Sequence, residues 1–325
     1  MTDFKTFYSD YLPWFNAAFR AYPLPDYPEN LYNPVRYAMD GNGKRIRPAL
    51  LAAMADSYGI KREDSLNAAM AIEMVHLFSL IHDDIMDDDQ LRHSKPAVHI
   101  KWDVNTGILA GDAIFTLAFK CLTDKDSPAL YRAGRIFIQS ILDVCEGQSR
   151  DLAFESTDDV SEEAYLAMIE QKTGHLLSGA AKIGAVFGGA SEQELELIES
   201  VILGMGRSFQ LQDDLLELTS SPENMGKTLG SDLIAKKKTY LLIKAYQTAD
   251  KKQRSLLDSM LTPDYILNNG INSIRELFDS MGVIEMTKNR IRLEAEMTRT
   301  LSLRLPERQQ QVLNTFSSFI LNRNK

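Results

Sequence analysis

Between positions 64 and 86 apolar residues return every three or four places, at Leu66, Met70, Met74, Leu77 and Ile81. That is the spacing of one face of an α-helix. The same period runs through Ile136 to Val144, Tyr165 to Leu177, Leu195 to Leu218 and Val283 to Leu303. No stretch alternates apolar and polar residues convincingly enough to predict a strand. The chain therefore reads as all-α, a single domain over 1–325 built from long helices. Helix starts are predicted where Ser161 precedes Glu162 and Glu163, and where Ser191-Glu192-Gln193-Glu194 has capping-box spacing. Loops are predicted at Asp124 to Pro128, Glu155 to Val160 and Ser220 to Gly230, each rich in turn formers. The stretch from Lys288 to Lys325, alternating Arg with Glu and Leu, predicts an amphipathic helix packed on the body.

Composition supports that picture: 44% hydrophobic and 25% charged residues are enough for a substantial core, and 18 Gly with 11 Pro leave long helices uninterrupted. Charge narrows the function. With 36 Lys+Arg against 45 Asp+Glu, the net charge is 36 − 45 = −9, which argues against a nucleic-acid binder. Apolar runs such as Ala49 to Ala55 fall far short of the roughly 18 residues of a membrane span, so no integral membrane segment is expected. Met1-Thr2-Asp3-Phe4-Lys5 lacks the start of a secretory signal. Cys121 and Cys145 form no CxxC pattern, which suits a reducing, cytoplasmic setting and predicts two small core residues. The histidines show neither HxxxH spacing nor a Cys pairing that would suggest zinc.

Two acidic clusters carry candidate chemistry. In His82-Asp83-Asp84-Ile85-Met86-Asp87-Asp88-Asp89, Asp83, Asp84 and Asp87 fall at 0°, about 100° and about 40° on a helical wheel, which predicts one shared face. Such a cluster repels itself, and hard divalent cations are natural partners for it, Mg²⁺ sharing its shell between carboxylates, waters and phosphates. A solvated acidic helix end is the alternative. The second cluster, Phe209-Gln210-Leu211-Gln212-Asp213-Asp214-Leu215-Leu216-Glu217, repeats the i, i+1, i+4 pattern inside another helical period. Gln210 lies one turn before its acids, where an amide could orient a ligand or a metal-bound water.

With these clusters the chain resembles the head-to-tail trans-prenyltransferases, or trans-isoprenyl diphosphate synthases, which carry an aspartate-rich motif on each of two facing helices around a central cavity. Further blocks appear in the family's order. Gly43-Lys44-Arg45-Ile46-Arg47-Pro48 is similar to GKRxRP, and Glu73, His76 and Ser79-Leu80-Ile81-His82-Asp83-Asp84 to ExxHxxSLIHDD. Arg92, Lys95-Pro96, His99, Gly111-Asp112, Gly147-Gln148 with Asp151, and Lys172-Thr173-Gly174 follow. Gly226-Lys227, Gly230, Asp232, Lys237 and Thr239 complete the match.

The resemblance implies a Mg²⁺-dependent enzyme that joins isopentenyl diphosphate to an allylic diphosphate by ionisation, condensation and elimination. By the same resemblance Asp83, Asp84, Asp87, Asp213, Asp214 and Glu217 bind three Mg²⁺ on the allylic diphosphate, aided by Arg92, Lys172, Lys227 and Lys237. Lys44, Arg47 and His76 would hold isopentenyl diphosphate, with Thr173 and Gln210 beside the developing cation. A homodimer is implied too. Two concentrated polyanions in one cavity do require several cations and Lys or Arg donors. Two departures stand out: Arg92-His93-Ser94 replaces the family's two arginines and glycine, and Glu217 replaces the commoner Asp.

Product length is set in the family below the first acidic motif, where Phe78, with the small Ser79 beside it, matches the ring that closes the tunnel in short-chain members. The first motif also lacks the two-residue insertion of many bacterial farnesyl synthases, and this combination resembles the geranylgeranyl type, which favours geranylgeranyl (C20) over farnesyl (C15) diphosphate. Two further readings are a terpene cyclase, which would carry an NSE- or DTE-type second motif, and a non-catalytic partner subunit, which typically loses one acidic motif. Both motifs are present here.

Overall fold

A computed structural model describes residues 3–41, 43–157, 159–219, 233, 237–262, 264–266 and 271–321. Among these the chain is helical apart from one two-residue hairpin. The predicted loop Ser220 to Gly230 and the predicted ligand Lys227 lie outside the described residues. Two compact units are distinguished, Met1–Val144 with Leu176–Glu199 and Ser302–Lys325, and Cys145–His175 with Ser200–Leu301.

In the first unit, α1 (Phe4–Arg20) is capped by the Asp3 carboxylate, which accepts from the Thr6 amide, and buries Phe4, Tyr11, Phe15 and Phe19 along one stripe. Phe4 meets Phe316 of α15 (Glu307–Leu321) edge-on at 5.0 Å. Then come α2 (Glu29–Met39), α3 (Ile46–Ser57) and α4 (Leu66–Met86). The predicted apolar run Ala49 to Ala55 is wholly buried in α3. α4 is buried nearly all round in its first half, with Ala68, Ala69, Ala71, Ile72 and Val75 inside as well as Met70, Met74, Leu77 and Ile81 of the predicted stripe, which marks it as a central helix; Leu66 is half-buried.

A short α5 (Val98–Lys101) leads into α6 (Val104–Thr123), which packs along α4. By length and mean hydropathy (1.3) α6 would suffice to cross a membrane, although Asp112 and Lys120 interrupt its apolar run. α7 (Leu130–Glu155), α9 (His175–Phe187) and α10 (Glu192–Thr219) follow with α8 (Glu162–Ile169) between the first two. The predicted caps are present: Ser161 accepts from the Ala164 amide, and Ser191 exchanges both bonds of a capping box with Glu194. Cys121 is buried as expected. Cys145 is not a core residue, since its position on α7 faces outward.

In the second unit α8 does not run straight into α9. A π-helical turn, Glu170–Gly174, inserts one extra residue into what the periodicity predicted as an unbroken helix. The unit also contains α11 (Tyr240–Thr248), α12 (Lys251–Met260), α13 (Asn272–Ser280) and α14 (Val283–Ser302). The expected C-terminal amphipathic helix is thus two helices, α14 and α15, separated by a turn before Pro306.

Candidate active site

The first acidic cluster occupies the last turn of α4 and its C-terminal continuation, with Asp87 as the C-cap residue. Carboxylates are unfavourable there, because the negative end of the helix dipole adds to their repulsion. Cations would relieve both. The three acids do not share one environment: Asp83 is half-buried, Asp87 exposed and Asp84 buried. A residue one place along lies about 100° around the helix, while the fourth along lies only about 40° away. Asp84 consequently turns inward and accepts from Arg92, through Nε at 2.7 Å and through Nη2. Burial raises the Asp84 pKa and the Arg92 bonds oppose that shift.

Arg92 stands on a hairpin in which Leu91 pairs with Pro96 and Arg92 with Lys95. Its two central residues, His93 and Ser94, have φ of 50° and 62°. Positive φ at both places marks the type I′ turn, whose twist suits paired strands but favours Gly and Asn. The Tyr37 hydroxyl anchors the hairpin by donating to the Pro96 carbonyl at 2.8 Å.

A cavity of about 350 Å³ brings Lys44, Arg47, His76, Asp84, Arg92 and His93 together. Arg45, on the same loop as Lys44, is buried at φ 48° and pairs with Glu73 of α4. Its remaining donors reach the carbonyls of Met39 and Gly41 and the Asn16 side chain. Arg47 is half-buried, and its buried Nε meets no hydrogen-bond acceptor among the described residues. Desolvation lowers the Arg47 pKa, partly offset by Glu73. Burial, then Arg47, Arg45, His93 and Arg92, hold His76 well below the usual histidine range. His93 is pushed down by desolvation and by Arg92, Arg45 and Lys44. The walls are thus cationic around two neutral imidazoles. Ser79 donates to the His76 carbonyl at 2.9 Å, and Phe78 packs edge-on against His82 at 4.7 Å and beside Phe115 at 4.9 Å.

The second unit holds a cavity of about 150 Å³ lined by Asp151, Lys172, Thr173, Gln210, Asp214 and Lys237, among others. Lys172 is paired with Asp151 at 2.6 Å. Asp214 is buried and accepts from the Tyr165 hydroxyl, from the Tyr240 amide at 3.1 Å and from Gln210 Nε2 at 3.0 Å. Asp213 and Glu217 are only half-buried. Both acidic patterns therefore bury their i+1 carboxylate more deeply than the i and i+4 acids.

Residues 28–278 match the polyprenyl synthetase family model. The chain belongs to the polyprenyl synthetase family. It is 42% identical over 226 residues to a geranylgeranyl diphosphate synthase of Methanosarcina mazei, covering 69% of this chain and 70% of that one. A geranylfarnesyl diphosphate synthase of Natronomonas pharaonis is 40% identical over 236 residues, covering 67% and 69%. The crystal structure of a geranylgeranyl pyrophosphate synthase superposes with a TM-score of 0.89 at 35% identity, covering 99% of each chain. As a polyprenyl synthetase the protein is a prenyltransferase of all-α fold.

Polyprenyl synthetases use Mg²⁺ through their diphosphate-binding aspartates. Among the described residues no three His, Cys, Asp or Glu side chains converge into a ready-made metal cage. The donors still fit Mg²⁺, which takes one or two carboxylates and completes its shell with water and substrate phosphate. Arg45, Tyr165 and Tyr240 were not recognised from sequence as site residues. Tyr165 and Tyr240 meet Asp214 across 49 and 26 positions, a pairing no local spacing announces.

Proposed function

We propose that this polyprenyl synthetase condenses isopentenyl diphosphate with allylic diphosphates and releases geranylgeranyl diphosphate, C20. The observation that carries this reading is the convergence of Lys44, Arg47, Arg92 and two neutral histidines on one cavity beside the first acidic cluster. Few ligands other than a diphosphate would answer so many cationic groups converging on one cavity. Lys44, Arg47 and His76 bind isopentenyl diphosphate. Lys172 and Lys237, with Lys227, grip the allylic diphosphate. Asp83, Asp84, Asp87, Asp213, Asp214 and Glu217 would hold Mg²⁺, three ions when substrate is bound, with Asp84 and Asp214 also orienting Arg92 and Gln210. Mg²⁺ supplies charge where the leaving diphosphate develops it. Thr173 and Gln210 present polar atoms to the allylic cation, which the isopentenyl double bond attacks before a proton is lost to the departing diphosphate.

Phe78 and the names of the related geranylgeranyl synthases support the C20 length. We also read the protein as a cytoplasmic homodimer. Val104, Ile108 and Leu109 of α6, with Tyr131, Ile138 and Leu142 of α7, leave a large apolar surface exposed within the first unit, which a second copy would cover. The test is product analysis with labelled isopentenyl diphosphate, Mg²⁺ and dimethylallyl, geranyl or farnesyl diphosphate. A C20 product dependent on Mg²⁺ is expected; a product ending at C15, or a cyclic hydrocarbon, would overturn the assignment.

A further inference from the structure

The second unit contains a chain of ion pairs that the reaction as described does not use. Arg207, on α10 one turn before Gln210, gives one guanidinium nitrogen to Glu170 and two others to Glu294 of α14, through Nε at 2.8 Å and Nη2 at 2.8 Å. Glu294 takes its second oxygen to Arg290, with Nε at 2.9 Å and Nη2 at 2.7 Å. Arg290 reaches on to Glu162 at 2.6 Å, and Lys244 pairs with the other oxygen of Glu162. Three cations meet three carboxylates. The Glu294 side chain is 2% exposed, so its charge is held by these two arginines and not by water.

Each end of the chain touches a part of the site. Glu170 is the first residue of the π-turn that bears Lys172 and Thr173. Glu162 accepts from the Tyr240 hydroxyl at 3.3 Å, and the same tyrosine's amide donates to Asp214. The π-turn itself is held from several sides. A side chain at Gly147 of α7 would collide with the Lys172 amide nitrogen, Gln171 donates to Glu146 at 2.8 Å, and Gly174 packs against Leu203 of α10. These contacts fix where the turn lies. Arg207 ties the first residue of the turn, Glu170, to Glu294 of α14.

We propose that Arg207 and Glu294 are positioning residues for prenyl transfer, fixing the rotation of the π-turn and so the direction of Lys172 and Thr173. The proposal rests on the reading of Lys172 as a diphosphate ligand. Misplacing a binding group by about 1 Å can cost roughly a hundredfold in rate. Arg207 and Glu294 therefore act on turnover through Lys172 without touching substrate.

The experiment is a double-mutant cycle on the full-length chain with steady-state kinetics and thermal unfolding. Glu294→Gln keeps side-chain size and removes the charge. Arg207→Lys keeps the charge but cannot span Glu170 and Glu294 together. Each should lower kcat by about tenfold to a hundredfold and leave the KM for isopentenyl diphosphate unchanged. In a Lys172→Ala background, Glu294→Gln should change kcat by no more than about twofold, since residues acting as one unit are not additive. An equal loss in both backgrounds, or a lowered Tm with kcat intact, would overturn the proposal. Wild-type kcat in Lys172→Ala alone would instead overturn the diphosphate-ligand reading beneath it. Should Glu294→Gln not fold, Arg207→Lys carries the same cycle.

Discussion

Arg45 and Glu73 hold each other at 2.6 Å with both side chains 2% exposed. A pair so buried is costly to break from one side, because the survivor is left as an uncompensated charge. Glu73→Ala should lower unfolding stability by about 3–5 kcal/mol in denaturant titrations. Replacing both, Arg45→Met with Glu73→Leu, should recover most of that loss. The double variant should still raise the KM for isopentenyl diphosphate, because the bonds to Met39, Gly41 and Asn16 that shape the Lys44 and Arg47 loop go with the guanidinium.

The two members of the second acidic pair should fail differently. Asp213→Ala should cut turnover about a hundredfold or more, as the loss of one preorganised electrostatic contact does, with Tm nearly unchanged. Asp214→Asn should lose both activity and Tm, because its carboxylate accepts from Tyr165, Tyr240 and Gln210. Identical kinetic and thermal profiles for the two would show that the inward and outward acids are not distinct.

His76 predicts a pH dependence of stability. In the unfolded chain a histidine protonates near pH 6.5, whereas burial and the surrounding arginines hold folded His76 far lower. Between those values the unfolded state binds more protons. Its contribution is therefore full above about pH 6.5 and is lost as pH falls, by up to about 1.4 kcal/mol per unit. The drop in Tm between pH 7.5 and 5.5 should be smaller in His76→Gln than in wild type, and equal drops would show that His76 is protonated in the fold.

The hairpin offers a paired test. His93→Arg should lower the KM for isopentenyl diphosphate, since a guanidinium grips phosphate bidentately where an imidazole held neutral by burial and by Arg92 cannot. Wild type should bind this substrate better at pH 6 than at pH 8, as the diphosphate recruits a proton to the ring. Ser94→Gly should stabilise the protein by up to about 1 kcal/mol, because Ser94 sits at φ 62°. An unchanged KM, together with no pH trend, would remove His93 from the substrate site.

Phe78→Ala should lengthen the product to C25 or beyond, by chromatography of the extracted prenols. Phe115, Phe119 and Phe137 continue the ring contacts beyond Phe78 at 4.9, 5.1 and 5.3 Å. The double variant with Phe115→Ala should accordingly run further than either single one. A product held at wild-type length in Phe78→Ala would place the floor elsewhere.

Long helices were legible because burial imposes a period of 3.6, and Leu66 to Ile81 shows it in full. The hairpin was not, since two residues per strand leave no alternation to read. The π-turn hides for another reason: Tyr165 to Leu177 keeps an apolar rhythm on both sides of the inserted residue, and its best local trace is the tight approach of Gly147 and Gly174 to their neighbours. The acids of both clusters were legible as clusters. Which of them face inward depended on Arg92, Tyr165 and Tyr240, contacts that span up to 49 positions and leave no local mark.

The π-turn also makes this site sensitive to counting as well as to chemistry. Removing any one residue from Glu170–Gly174 would let the segment relax into an ordinary helix with every backbone bond intact. The flanking helices would keep their phase, because the turn had absorbed the extra residue, while residues within the turn would be re-aimed by up to about 100°. Lys172 and Thr173 could both survive such a change and yet point away from the cavity. The turn is for this reason as intolerant of a change in length as of an exchange at Lys172 or Thr173.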